Sequence, residues 1–252
     1  METKYEKEKT NSQDYNSNRS ENYDSTCLIA QEEEKLDKNN NSDLYQEYIE
    51  NEPLNKIWSI NSDIKRHILI GVTGSIAAIK LPIIIQGLLK YKNVEIQIVY
   101  TSSANQFFDL QEIKKYNIPT WTDGDEWELW KKYGDPILHI QLRRWAHLLL
   151  LIPLSANSLS KIANGICDNL LLSILRAWSP NLTIFAAPSM NTLMWQHPLT
   201  QKHIQFIQQI LPHIQFINPI EKTLACGDTG MGAMAEPTEI INRVVLHLAL
   251  ST

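Results

Sequence analysis

Glycine is missing from the first 70 of the 252 residues, and all nine glycines lie at position 71 or beyond. Cysteine is scarce: Cys27, Cys167 and Cys226 make an odd count of three, which excludes a disulfide framework and suits a reducing compartment. No apolar run reaches the roughly 18 residues of a spanning helix, the longest being 146–154. Met1 is followed by acidic and polar residues, so no secretory signal is expected. The seven His and three Cys show no paired ligand spacing, so no metal site is expected. No G-x-S-x-G elbow marks a serine nucleophile. A net charge of −5 argues against a general nucleic-acid surface. These absences leave a soluble cytoplasmic protein with neither nucleic acid nor membrane as partner. Its 43% hydrophobic content suffices for a core without staples.

The averages conceal a division. Residues 1–50 hold 13 acidic and 6 basic side chains, a net of −7, whereas the remaining 202 residues carry a net of +2. Runs such as 32–34 (EEE) and 39–41 (NNN) cannot bury enough surface to offset their ordering entropy. The reading is therefore an acidic, Asn-rich, mostly disordered extension over 1–62 and one folded domain over 63–252. Within the extension, 42–60 carries Leu44, Tyr45, Tyr48, Ile49, Leu54, Ile57 and Trp58, a pattern for a helix or docking segment.

Along the domain, 67–72 (HILIGV) reads as a buried strand, 76–91 as a helix blemished by Pro82, and 94–100 as a second strand. Strand, crossover helix and strand is the parallel unit of an α/β fold. A third strand is expected at 148–152, a fourth at 182–187 and a fifth at 214–217. Helices are expected at 155–163, 168–178, 196–211 and 237–250, the last opening on Pro237.

Several strand ends carry polar residues. The turn 71–75 (GVTGS) lies between strand and helix, where backbone N–H groups and the helix dipole favour a phosphate. It is neither G-x-G-x-x-G nor a P-loop, since Lys80 comes a full turn late. The ends 101–103 (TSS) and 153–158 (PLSANS) also carry hydroxyl and amide groups. Helix caps explain each alone, but together they line the carboxyl edge where α/β sheets bind ligands. The fourth strand runs into 188–195 (PSMNTLMW), where Met190, Met194 and Trp195 read as packing residues and Asn191 offers a donor and an acceptor. The segment 138–145 (LHIQLRRW) carries His139, which alone is a hydrogen-bonded structural histidine as readily as a catalyst. In 224–237 (LACGDTGMGAMAEP), three glycines in six residues look too many for a regular element and suit a mobile lid. Cys226 there is placed to exchange a proton.

The motifs at 71–80, 139–145, 153–158, 188–195 and 225–237 occur in the order found in the homo-oligomeric flavin-containing cysteine decarboxylases, and the sequence resembles their eukaryotic phosphopantothenoylcysteine decarboxylase branch over roughly 66–248. That resemblance implies a single flavodoxin/Rossmann-like domain, a parallel sheet with helices on both faces, that binds FMN. Matched residue by residue, Gly74, Ser75, Ile76, Thr101, Phe107, Ser155, Ala156, Asn157, Ser158 and Ser189 would bind the cofactor. Asn191, Met194 and Ala225 would bind substrate. His139 would be the base of the oxidative step and Cys226 the proton donor of the reductive step.

The implied chemistry explains the residue types. Oxidising the carbon that bears sulfur, while His139 takes the thiol proton, gives a thioaldehyde. Its C=S lies β to the carboxylate and receives the electrons as CO₂ departs; reduction and a proton from Cys226 complete the turnover. Two departures stand out: Ser189 where the family usually has Ala, and Thr223 where a basic residue often stands, with Lys222 beside it. The resemblance also implies a homotrimer with shared sites, and related subunits or a Ser/Thr phosphatase as further partners. The alternative function is a non-catalytic, halotolerance-type subunit that inhibits such a phosphatase. Its relatives tend to end in an acidic tail, which 240–252 does not resemble.

Overall fold

The computed structural model describes residues 65–223, 227 and 229–250. The expected boundary at 62/63 and the segment at 42–60 lie outside the described residues. The described residues fall in one compact unit spanning 53–252.

Six parallel strands form the sheet: β1 Arg66–Val72, β2 Val94–Tyr100, β3 Thr120–Trp121, β4 Leu148–Leu154, β5 Ile184–Pro188 and β6 Ile214–Phe216. Their order is β3-β2-β1-β4-β5-β6, every pair parallel. The chain moves outward one way from β1 and the other way from β4. The crevice beyond the carboxyl ends of these two strands is thus the topological switch point, where doubly wound sheets bind ligands. Nine helices are described: α1 Leu81–Leu88, α2 Leu110–Lys114, α3 Asp123–Leu129, α4 Leu138–Trp145, α5 Ala156–Ala163, α6 Leu170–Arg176, α7 Thr192–Gln196, α8 Pro198–Ile210 and α9 Pro237–Leu248.

The central strands are apolar on both faces because helices cover both. All seven residues of β4 are buried. Ile68, Ile70, Leu148, Leu150 and Phe185 pack on one side with Ile84 and Leu88 of α1 and Ile240 and Val244 of α9. Leu69, Leu149, Leu151 and Ile184 pack on the other with Leu142 of α4, Leu159 of α5, Leu171 of α6 and Ile207 of α8. Each such side chain contributes about 1.5–3 kcal/mol on burial, and truncating Leu150 to Ala would cost about 2–5 kcal/mol.

The expected helix at 76–91 divides. Ser75 caps a 3-10 turn at Ile76–Lys80, and α1 then starts afresh with Pro82 in its first turn. Pro82 is no blemish there, because a first-turn residue has no helical partner for its N–H. The strand at 148–152 extends to Leu154 and is the fourth of the sheet, since β3 precedes it. β3, α2 and α3 were not foreseen; elements of two to seven residues carry no periodic signal to read. The segment around His139 is a helix, α4. Helix α8 begins at Pro198 rather than at 196, after the separate five-residue α7.

The glycine-rich segment corrects a second expectation. It contains regular structure: β7 Ile220–Thr223 and β8 Thr229–Ala233 pair as an antiparallel ribbon. The glycines serve a docking contact, described below.

Candidate functional site

Four strand ends, those of β1, β2, β4 and β5, are laced together at the carboxyl edge of the sheet. Thr73, fully buried just past β1, donates from Oγ1 to the Pro153 carbonyl at 2.8 Å and accepts from Ser155 N at 2.8 Å. Its own N–H reaches Pro153 O at 3.3 Å. Ser155, buried, caps α5 by accepting from Ser158 N at 3.3 Å, and its Oγ also lies 3.3 Å from Ser158 Oγ. Ser75 Oγ donates to Ser189 Oγ at 3.0 Å, while Ser189 N is held by Leu154 O at 2.9 Å. Thr101 N bonds Val72 O at 3.0 Å, and Thr101 Oγ1 lies 3.1 Å from Ser103 Oγ. Phe107 packs against the core on the α1 side. Ala156 is half-buried, and Asn157 and Ile76 are exposed.

Gly74 lets the first turn lie against the second strand end. A Cβ on Gly74 would meet Ser103 Oγ at 2.5 Å and Ser103 Cβ at 2.8 Å. The result is a backbone cradle rimmed by Ser75, Thr101, Ser155, Ser158 and Ser189, beside the N-termini of the 3-10 turn and of α5. Neutral hydroxyls beside helix N-termini suit a phosphate and a polyol chain. The residues present therefore fit an FMN-type cofactor. A separate cavity of about 100 Å³, lined by Ile162, Trp178, Arg176 and His213 among others, lies by the amino ends of β5 and β6. It is remote from the polar strand ends and shares none of their residues.

Past β5, Asn191 caps α7, its Oδ1 accepting from Leu193 N at 2.8 Å. Met190 is buried and Met194 half exposed; Trp195 packs on the core beside α8. The ribbon docks on this turn through bare backbone. Met190 N donates to Gly232 O at 2.9 Å. A Cβ on Gly232 would fall 2.4 Å from Met190 O, and one on Gly230 would fall 2.7 Å from Thr192 Cγ2. Ala225 and Cys226 lie outside the described residues, between β7 and β8 in the sequence.

Glu236 ties the ribbon to the first turn. Its carboxylate meets Lys222 of β7 at 3.1 Å and Lys80 at 3.2 Å. Hydrogen bonds from Lys222, then Lys80, hold its carboxyl below the ordinary carboxylate range. Lys222 is thus engaged by Glu236, and Thr223 Oγ1 lies 3.1 Å from Thr229 Oγ1.

His139 stands apart from this group, in the first turn of α4. Its backbone N donates to Glu126 Oε2 at 3.0 Å and its Nδ1 lies 2.6 Å from Glu126 Oε1. Glu126 belongs to α3, three of whose four acidic residues each complete a helix start. Asp125 accepts from Thr122 N at 2.7 Å, closing the capping box of α3 itself. Asp123 accepts from Leu170 N of α6 at 2.8 Å. Among the described residues, no side-chain hydrogen bond joins His139 to the strand-end cradle.

Thr73, Glu126 and Glu236 are the residues that sequence reasoning missed. Thr73 sat inside the recognised turn but reads as one more small polar residue. Glu126 belongs to no motif, and nothing in the order of residues pairs it with His139.

A family model described as Flavoprotein matches residues 58–249. The chain belongs to the flavoprotein family. This flavoprotein is 45% identical over 180 residues to phosphopantothenoylcysteine decarboxylase of Mus musculus, covering 71% of the chain and 86% of the mouse protein. A probable thymidylate synthase of Schizosaccharomyces pombe is 51% identical over 189 residues, 75% of the chain, but the flavoprotein spans only 30% of that longer protein's length. Among solved structures it is similar to a PPC decarboxylase with one Cys changed to Ser, complexed with pantothenoylaminoethenethiol, at 46% identity and TM-score 0.69, covering 72% of this chain and 97% of that one. The FMN binding protein AtHal3 gives 46% identity and a TM-score of 0.66, over 72% and 96%.

Proposed function

We propose that this chain catalyses the FMN-dependent decarboxylation of phosphopantothenoylcysteine to phosphopantetheine, a step of coenzyme A biosynthesis. The observation that carries the reading is the 45% identity to the mouse decarboxylase over 86% of that enzyme. In this reading Gly74, Ser75 and Ile76 hold the phosphate and ribityl end of FMN, joined by Thr101 and Phe107. Ser155, Ala156, Asn157 and Ser158 bind from the next strand end, with Ser189 beside the ring. Bound FMN supplies a reversible two-electron couple, so the reaction closes with no net oxidation.

The protein's own groups position the substrate and move protons. The Asn191 amide, with its Oδ1 fixed by Leu193 N, orients the carboxylate; Met194 and Ala225 flank it. His139 takes the thiol proton as the sulfur-bearing carbon is oxidised. CO₂ then leaves as the C–C bonding pair moves into the C=S group. Cys226 gives a proton to carbon when the enethiolate is reduced. A positioned acid or base contributes about 10²–10⁴-fold. A reactive thiol in that role suits a reducing compartment, so the cytoplasm is the proposed location.

The assembly proposed is a homotrimer in which His139 of one subunit faces Asn191 and Cys226 of another. Exposed apolar residues beside the first turn support it: Ile76, Ile79 and Ile83 recur along one stripe and are about half exposed or more. The domain division at 62/63 is proposed with it, the extension being outside the catalytic unit.

Purified protein should be yellow and should release CO₂ from phosphopantothenoylcysteine. A protein that never takes up FMN defeats the site assignment. A second reading, a regulatory subunit that inhibits a Ser/Thr phosphatase, is favoured by likeness to HAL3 from Cryptococcus neoformans, at 34% identity and TM-score 0.64 over 97% of that chain. FMN uptake without any CO₂ release would favour this second reading.

A further inference from the structure

Helix α4 begins without a cap of its own, since Ile137 occupies the N-cap position and makes no side-chain bond. Glu126 fills that need from α3 with one oxygen, Oε2, on the backbone N–H of His139 at 3.0 Å. A cap requires nothing more. Yet the other oxygen, Oε1, lies 2.6 Å from Nδ1 of the same residue. The pair is well enclosed, with 12% of the Glu126 side chain and 27% of the His139 side chain exposed.

An ionised carboxylate has only acceptors, so the proton in this contact sits on Nδ1. In a neutral imidazole that leaves Nε2 with the bare lone pair, and the two-point grip fixes the ring against the start of its own helix. We propose that Glu126 is a positioning residue for His139: it holds the Nδ1–H tautomer and so makes Nε2 the atom that receives the thiol proton. The proposal rests on the reading of His139 as the base. Free imidazole in water favours the opposite tautomer, with the proton on Nε2, so the carboxylate has to reverse an intrinsic preference.

The test compares wild type, Glu126→Gln and Glu126→Ala as full chains loaded with FMN and labelled with ¹⁵N-histidine. His139→Asn identifies the resonances by their loss. Long-range ¹H–¹⁵N correlation reads which ring nitrogen carries the proton, and CO₂ release is followed in parallel. Wild type is expected to show Nδ1–H. Glu126→Ala should move the proton to Nε2 and lower CO₂ release by about 10²-fold or more, within the range a positioned base supplies. Glu126→Gln has a single acceptor oxygen, which the backbone N–H of His139 requires, so its amide N–H₂ faces Nδ1; it should keep the helix cap but place the proton on Nε2, with a comparable loss of CO₂ release. If Glu126 were a helix cap alone, Glu126→Ala would lose stability while the tautomer stayed put in both variants. An Nδ1–H signal persisting in Glu126→Ala overturns the inference whatever the turnover. A displaced proton with undiminished CO₂ release upholds it and overturns His139 as the base instead. Should Glu126→Ala fail to fold, a Glu126→Gln protein with its proton still on Nδ1 overturns the inference, and one with its proton on Nε2 upholds it.

Discussion

Replacing Gly232 by Ala places a methyl group where the ribbon meets the turn after β5. Gly232 has φ +137°, a left-handed conformation that costs an L-residue about 1–3 kcal/mol. The new Cβ would stand 2.4 Å from Met190 O and 3.4 Å from the Asn191 carbonyl. Close carbon–oxygen contacts bottom out at about 3.3 Å, so roughly 0.9 Å of separation must be found. Neither backbone yields easily, because Met190 N already donates to Gly232 O at 2.9 Å. Overpacking of this kind costs about 1–3 kcal/mol more. The ribbon can escape both penalties by lifting off, at the expense of one hydrogen bond of about 1 kcal/mol and the packing around it. Local lifting is therefore favoured over global unfolding. A net shift of about 3 kcal/mol lowers the docked-to-lifted ratio about 10²-fold.

Amide exchange at Met190 and along β8 reads that opening directly. In the proposed mechanism, Gly232→Ala should still take up FMN, and phosphopantetheine formation should fall further than CO₂ release, since Cys226 lies between the ribbon's two strands in the sequence. Gly134→Ala is the control: Gly134 has φ +93° but no atom within 4 Å of its Cβ position, so it pays strain without a clash. Gly232→Ala with native protection at Met190 and full product formation would refute the reasoning. So would equal effects from the two variants.

Cys226→Ser should accumulate an oxidised, decarboxylated product whereas His139→Asn should release no CO₂; mixing the two should restore activity if sites are shared, and mass spectrometry of the products with a CO₂ assay decides. Thr73→Val leaves Pro153 O short of one donor and Ser155 N without its acceptor. Pro153 O keeps the backbone N–H of residue 73, but the stranded Ser155 N–H costs about 1–3 kcal/mol, so the melting temperature and FMN affinity should fall together. Burial, then His67 and Arg66, pushes the His147 pKa down to about 4. Between its ordinary value near 6.5 and about 4, the unfolded chain binds the extra proton. Stability from this group is therefore intact above about 6.5 and falls as pH drops towards 4; His147→Asn should flatten that decline in urea midpoints measured across the range.

The strands and the cradle were legible because they obey local rules. Continuous apolar runs at 67–72 and 148–152 mark strands buried on both faces, and the polar residues that end them share the sheet's carboxyl edge. The parts that escaped depend on pairs distant in sequence. Glu126 lies 13 residues before His139 and Asp123 lies 47 before Leu170, and no periodicity connects either pair. The ribbon was misread for a related reason. Glycine is a poor strand former in isolation, but Gly230 and Gly232 are required by the neighbour they touch, and that neighbour is 40 residues away in the chain. Pro82 likewise looked like a defect until the helix was seen to restart there.

The way α3 spends its acidic side chains bears on how the domain comes apart. α4 and α6 both start on a hydrogen bond from α3, and α4 has no side-chain cap of its own. Loss of the seven residues of α3 from its place exposes an N–H at the head of two other helices at once. α6 also has its own cap, Asn169 on Leu172 N at 2.9 Å, whereas α4 depends on α3 for its cap. α3 and the first turns of α4 and α6 should then open together, with the amides of His139 and Leu170 exchanging at a common free energy. The spacing of acids in a seven-residue helix thereby sets how rigidly His139 is held on the timescale of local unfolding.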